Sequence, residues 1–258
     1  MPDDLHGPGD VGDADATSSL LGWARKRWKR LAWTVALVLL GGWILTWVFD
    51  APLRPVLAER DAIRVAAVHV SGTACGQFSE GDGFAVAPDL VLTNAHVVAG
   101  VEEIRVATPT GTAVPGVLVG FDPGRDIAAI AVTGPPLIPV VPAPVVADAS
   151  DTGDVATVNP GHGVEFVPFT VIRRILATGT DFYGEEAQGR LVLEIRSLLV
   201  PGDSGAALVS DDGELWGMVF AVARRQRDEG YALDSTEITR FLAEVDRTPV
   251  PTPPCRTR

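Results

Sequence analysis

Lysine is almost missing from this chain of 258 residues: Lys26 and Lys29 are the only two, and nothing after Lys29 carries an ammonium side chain. A serine nucleophile activated by lysine is therefore excluded from that stretch. Histidine is scarce as well, with only His69, His96 and His162 beyond the first fifty residues. The two cysteines, Cys75 and Cys255, stand in no CxxC, and no HExxH occurs. A metal site built from three or four closely spaced His or Cys ligands is poorly supported, and a cysteine nucleophile is disfavoured if both thiols are paired. No metal and no cofactor is expected. Positive charge is also short, with 21 Lys+Arg against 33 Asp+Glu and a net charge of −12, which argues against nucleic acid as the main partner. The apolar share of 47% excludes a disordered chain.

The charge is unevenly placed. Residues 1–49 hold five acids and five bases and sum to zero, leaving 28 acids and 16 bases to residues 50–258. The first eighteen residues, rich in Asp, Gly and Ala, read as a disordered tail, and 1–30 as a cytoplasmic segment ending in the basic cluster ARKRWKR. Residues 31–49, LAWTVALVLLGGWILTWVF, carry no ionisable side chain. As a helix they span about 28 Å against a hydrocarbon core of roughly 30 Å. Trp28, Trp33, Trp43 and Trp47 sit near the ends, where indoles favour the interface. A cleaved signal peptide fits less well, because bulky Trp47, Val48 and Phe49 stand where a small-residue cleavage site belongs. A buried soluble helix would seldom be apolar on every face. Five bases before the span and two soon after it predict a single pass with the N-terminus cytoplasmic and residues 50–258 outside.

After a stalk over 50–61, the exported part reads as many short strands. The first series is 64–72, 83–87, 90–98, 103–108, 114–122 and 126–132. A proline-rich bridge follows at 134–144, and a second series runs 155–161, 169–179, 190–197, 206–210, 215–224 and 231–235. The expected fold is all-β: two six-stranded antiparallel barrels, about 62–133 and 150–235, closed by a helix at about 235–246 that Asp234 or Ser235 caps.

The strongest chemical signal is Pro201-Gly202-Asp203-Ser204-Gly205-Ala206. Glycines on both sides of a serine permit a tight turn that exposes the hydroxyl and converges backbone N–H groups. Two further segments join it: Thr93-Asn94-Ala95-His96-Val97-Val98 at the end of an apolar strand, and Gly124-Arg125-Asp126-Ile127-Ala128 at the start of another. With these three motifs the sequence resembles the chymotrypsin-like (trypsin-like) serine proteases over roughly residues 62–246. The order His, Asp, Ser matches, with the first two in one strand series and the serine in the other. The resemblance implies Ser204 as nucleophile, His96 as general base and acid, and Asp126 as the group that orients the imidazole. It also implies an oxyanion hole from the N–H groups of Gly202 and Ser204, and an inward Asp203 that sets the loop conformation. Zymogen-type relatives pair that aspartate with a freed N-terminus; the tethered first strand predicts no such step here. Taken singly, His96 could be a core histidine, Asp126 a turn residue and Ser204 a glycine-loop serine. His69 and His162 match no motif, and Asp122, in FDPG, reads as a turn residue.

Ala206 departs from the family, where glycine is usual; a methyl there is a small change if φ is negative. By family alignment the base of the specificity pocket falls near Leu198, with one wall at Phe220-Ala221-Val222. No acid stands there, so small or medium apolar residues are expected before the cleaved bond. Cys75 and Cys255, both expected outside the membrane, invite a disulfide in an oxidising compartment, with two free thiols as the alternative. The anchor, the EGDGF and TNAHVVAG segments, the DFYG loop and the terminal cysteine together resemble actinobacterial membrane-anchored periplasmic acid-resistance proteases of the MarP type. That group's disulfide and stress role are implied by the resemblance; its multi-helix membrane module is not matched. The expected partners are a protein or peptide substrate and, through 31–49, the membrane. The reading is thus a membrane-anchored serine endopeptidase, with a non-catalytic peptide-binding domain as the competing class.

Overall fold

The computed structural model describes residues 62–142, 146–159, 162–223 and 226–255. The expected tail, span and stalk over 1–61 lie outside these residues. Among the described residues no helix is long and apolar enough to cross a membrane.

Twelve strands form two closed barrels, joined in sequence by the proline-rich bridge. The first contains β1 (Ala67–Ala74), β2 (Gln77–Ala87), β3 (Leu90–Thr93), β4 (Ile104–Ala107), β5 (Ala113–Asp122) and β6 (Ile127–Val132), in the order β1-β2-β3-β6-β5-β4. The second contains β7 (Thr152–Asn159), β8 (Gly163–Thr180), β9 (Glu186–Arg196), β10 (Ala207–Ser210), β11 (Leu215–Val222) and β12 (Glu229–Asp234), in the order β10-β11-β12-β9-β8-β7. All of these pairings are antiparallel. Closure leaves no open sheet edge.

Three differences from the sequence expectation have local causes. Residues 62–66 are helical, and strand pairing begins only where Ala67 meets Phe84. The expected strand 90–98 stops at Thr93, because Asn94 accepts an N–H from Val97 and starts the one-turn helix α1 (Ala95–Val98). Strand β8 starts at Gly163, since Pro168 sits opposite Asp154 without breaking the ladder.

The strands next to the candidate site are buried on both faces, so simple alternation assigns each side chain to one of two cores. In β6, Ala128, Ile130 and Val132 enter the core of the first barrel, while Ile127 and Ala129 enter a cluster shared by both barrels. In β10, Leu208 joins the core of the second barrel, and Ala207 and Val209 join the shared cluster. Helix α2 (Ser235–Glu244) adds Ile238 and Phe241 to that cluster. Its cap is Asp234, whose carboxylate accepts the Thr236 N–H at 2.8 Å and pairs with Arg174.

Candidate active site

His96 lies in α1, directly after β3, and Asp126 ends the turn that leads into β6, paired through Thr93 opposite Ala128. Asp126 is 5% exposed and holds a φ of 59°, a left-handed conformation that a non-glycine residue keeps only when its surroundings fix it. Those surroundings are explicit. The Asn94 side chain donates to the Asp126 carbonyl at 2.9 Å, and the His96 N–H donates to Oδ1 at 3.0 Å. The His96 ring presents Nδ1 to Oδ2 at 2.8 Å and to Oδ1 at 3.0 Å. With Nδ1 so engaged, the ring tautomer that carries its proton on Nδ1 leaves Nε2 as the acceptor.

Ser204 precedes β10 in a turn made possible by two glycines. Gly202 has a φ of +113° and Gly205 of +93°. A side chain on Gly205 would run into the Asp82 carbonyl, so this position admits no Cβ. The turn docks on the first barrel, where the Asp82 N–H donates to the Ser204 carbonyl at 2.7 Å and Thr93 Oγ1 donates to the Asp82 carbonyl at 2.6 Å. Gly81 fits the last gap: a Cβ there would lie 2.7 Å from both the Ser204 carbonyl oxygen and the side chain of Val97, the neighbour of His96. Ser204 and His96 are thus brought to one place, although no hydrogen bond joins Ser204 Oγ to His96. The Gly202 and Ser204 N–H groups have no acceptor among the described residues. Asp203 is buried, accepts the Val200 N–H at 2.7 Å, and has its pKa raised by burial, an effect that this hydrogen bond opposes. Ala206 is fully buried in the second barrel and is not among the positive-φ residues.

The expected specificity residues come from two segments, the one after β9 and the end of β11. Leu198 is 72% exposed and lines a cavity of about 340 Å³ with His69, Asp82, Glu165 and Asp203. Phe220, Ala221 and Val222 lie at the end of β11, where a bulge between Val219 and Ala221 leaves Phe220 as the extra residue. Phe220 packs against Tyr231 at 6.4 Å between ring centroids.

Several contributors escaped the sequence reading. Asp82, in EGDGF, is 2% exposed; burial raises its pKa to about 6, against the opposing effects of His69 and the Val158 N–H at 3.0 Å. An acid between glycines inside an apolar strand was the available signal. His69 faces that acid at 3.7 Å and Glu80 at 3.5 Å. Phe182, at the tip of the β8–β9 hairpin, meets the His96 ring edge-on at 6.3 Å, and Phe121 at the same distance. Next to it, Tyr183 Oη donates to the Pro254 carbonyl at 2.7 Å. The C-terminal tail that carries this carbonyl is fixed by the Cys75–Cys255 disulfide. Gly100, with a φ of +73°, leaves room for both sulfurs.

The chain is similar to known proteins in sequence and in fold. The model of the trypsin-like peptidase domain matches residues 81–218, which include His96, Asp126 and Ser204. The chain is 34% identical to serine protease Rv3671c of Mycobacterium tuberculosis over 207 residues, covering 78% of this chain and 51% of that protein. It is 31% identical to serine protease HTRA1B of Danio rerio over 176 residues, covering 64% and 35%. The chain spans about half the length, or less, of these curated relatives. The crystal structure of the Rv3671c protease in its active form superposes with a TM-score of 0.71 at 33% identity, covering 82% of this chain and 92% of that one. The fold, the three motifs in order and the match over more than half the sequence place this chain in the trypsin-like peptidase family.

Proposed function

We propose that this protein is a membrane-anchored serine endopeptidase that cleaves extracytoplasmic or cell-envelope proteins through His96, Asp126 and Ser204. The observation that carries the reading is the His96–Asp126 pair, bonded through both carboxylate oxygens, with Ser204 docked beside it on Asp82 and Gly81. In this mechanism Ser204 Oγ attacks the peptide carbonyl as His96 Nε2 takes its proton, and Asp126 stabilises the resulting imidazolium. The developing oxyanion is received by the Gly202 and Ser204 N–H groups, which have no acceptor among the described residues. His96 then returns a proton to the leaving amine, and water releases the acyl group by the reverse sequence. Small or medium apolar residues before the cleaved bond fit the Phe220–Val222 edge, where no carboxylate stands to pair with a basic side chain. Residues 31–49 supply the anchor, with the catalytic part outside.

A peptide-binding domain without turnover is the second reading, left room by Ala206, where the family usually has glycine. Incubating the full chain with a mixed peptide library, beside its Ser204→Ala form, separates the two. Endoproteolytic products from the wild type alone are expected, and equal cleavage patterns from both forms would overturn the proposal. Cleavage mainly after Arg or Lys would overturn the apolar preference.

A further inference from the structure

Arg190, on β9, is a partly buried cation with an unusual set of neighbours. Its Nη1 donates to the Gly124 carbonyl at 2.8 Å, and its guanidinium carbon lies 4.4 Å from the centroid of the Phe220 ring on β11. Arg125, Arg173 and Arg174 each bond a carboxylate directly. Arg190 enters no ion pair with the described residues, although burying a guanidinium is costly without a compensating charge. Burial pulls its pKa below the usual arginine range, and the charge that most opposes this is Asp126, followed by Asp122, Asp181 and Glu237. The nearby cation Arg125 is already engaged by Asp122, Glu237 and Glu244, and Glu237 also pairs with Arg240. Asp126, with its left-handed φ, lies two residues after the carbonyl that Arg190 holds.

We propose that Arg190 is a positioning residue for the triad, stacking on Phe220 of the second barrel and bracing the 122–126 turn of the first through the Gly124 carbonyl. The inference rests on the triad assignment above. A guanidinium is suited to both tasks, because its plane stacks on an aromatic face while its edge donates to a carbonyl. Arginine stays protonated across the working range of any peptidase. A brace two residues before Asp126 keeps its left-handed turn in place, and with it the carboxylate that holds the His96 ring.

The test is the second-order rate at which a fluorophosphonate labels the full chain in detergent, followed from about pH 4.5 to about pH 8.5. It compares the wild type with Arg190→Met, Arg190→Gln, Arg190→Lys and Ser204→Ala. Both neutral variants should label about tenfold more slowly across this range, because the turn that carries Asp126 loses its brace. Arg190→Lys should recover part of the rate, because an ammonium can donate to the carbonyl but cannot stack and donate together. Near-UV circular dichroism reports folding, and Arg190→Gln stands in if Arg190→Met does not fold. A folded neutral variant that labels within about twofold of the wild type, or Arg190→Lys slowed as much as Arg190→Met, overturns the inference and leaves the triad intact. Labelling that persists in Ser204→Ala overturns the triad, and this inference with it.

Discussion

Buried acids stand on both the His96 side and the Ser204 side of the site, and they are balanced by different neighbours. Asp126 gives both carboxylate oxygens to His96, and Arg190 holds the Gly124 carbonyl two residues before it. Asp82 and Asp203 instead accept backbone N–H groups of Val158 and Val200, with His69 as the nearest basic group. Desolvation dominates on that second side, and the pKa values of both acids rise. The same side chain therefore serves two ends. Asp126 holds the His96 ring, while Asp82 and Asp203 hold backbone N–H groups on the Ser204 side.

The largest break of this comparison is on the Asp126 side. His96→Ala or Asp126→Asn should lower the rate of peptide cleavage by roughly 10⁴-fold while the fold survives. Cleavage within tenfold of wild type in either variant would remove Asp126 and His96 from the chemistry. Next comes the tail that bears on the site through Tyr183. Replacing both Cys75 and Cys255 by Ser opens a loop of 180 residues and should cost about 2–5 kcal/mol in urea unfolding.

The Ser204 side is tested by pH. The folded-state pKa of Asp82 lies above its unfolded value of 3.8, at about 6, so the folded chain holds that proton more tightly between the two. Stability from this group is therefore fully present below about pH 4 and is lost as pH rises through about 6, by at most about 3 kcal/mol. Asp82→Asn should remove this difference. Urea midpoints at pH 4.5 and pH 7 measure it, and a pH dependence identical in wild type and variant would contradict the account. The smallest effect is expected at Leu198. As a largely exposed side chain, its change to Ala should shift stability by no more than about 0.5 kcal/mol.

Much of this architecture was legible in the sequence because its signals are local. Alternating apolar strands, the glycines around Ser204 and the cap at Asp234 are each written within a few residues. The order of the motifs around His96, Asp126 and Ser204 then indicated the fold. What escaped depends on pairing across long separations. Arg190 meets Gly124 66 residues away and Asp82 meets Val158 76 residues away; nothing in its own segment marks Arg190, and the glycines flanking Asp82 are the one local hint for that acid. Leu198 shows the reverse: an apolar residue in a site-like position, yet turned toward solvent. The helix at Ala95–Val98 also escaped, since Asn94 ends a run that otherwise reads as strand.

The central claim is that Ser204 is a nucleophile activated by His96. Its most direct measurement is mass mapping of the fluorophosphonate adduct on the full chain, beside the His96→Ala form, near pH 7. A single adduct on the peptide containing Ser204, lost when His96 is replaced, is the predicted result. An adduct elsewhere, or labelling of Ser204 that does not depend on His96, would contradict it.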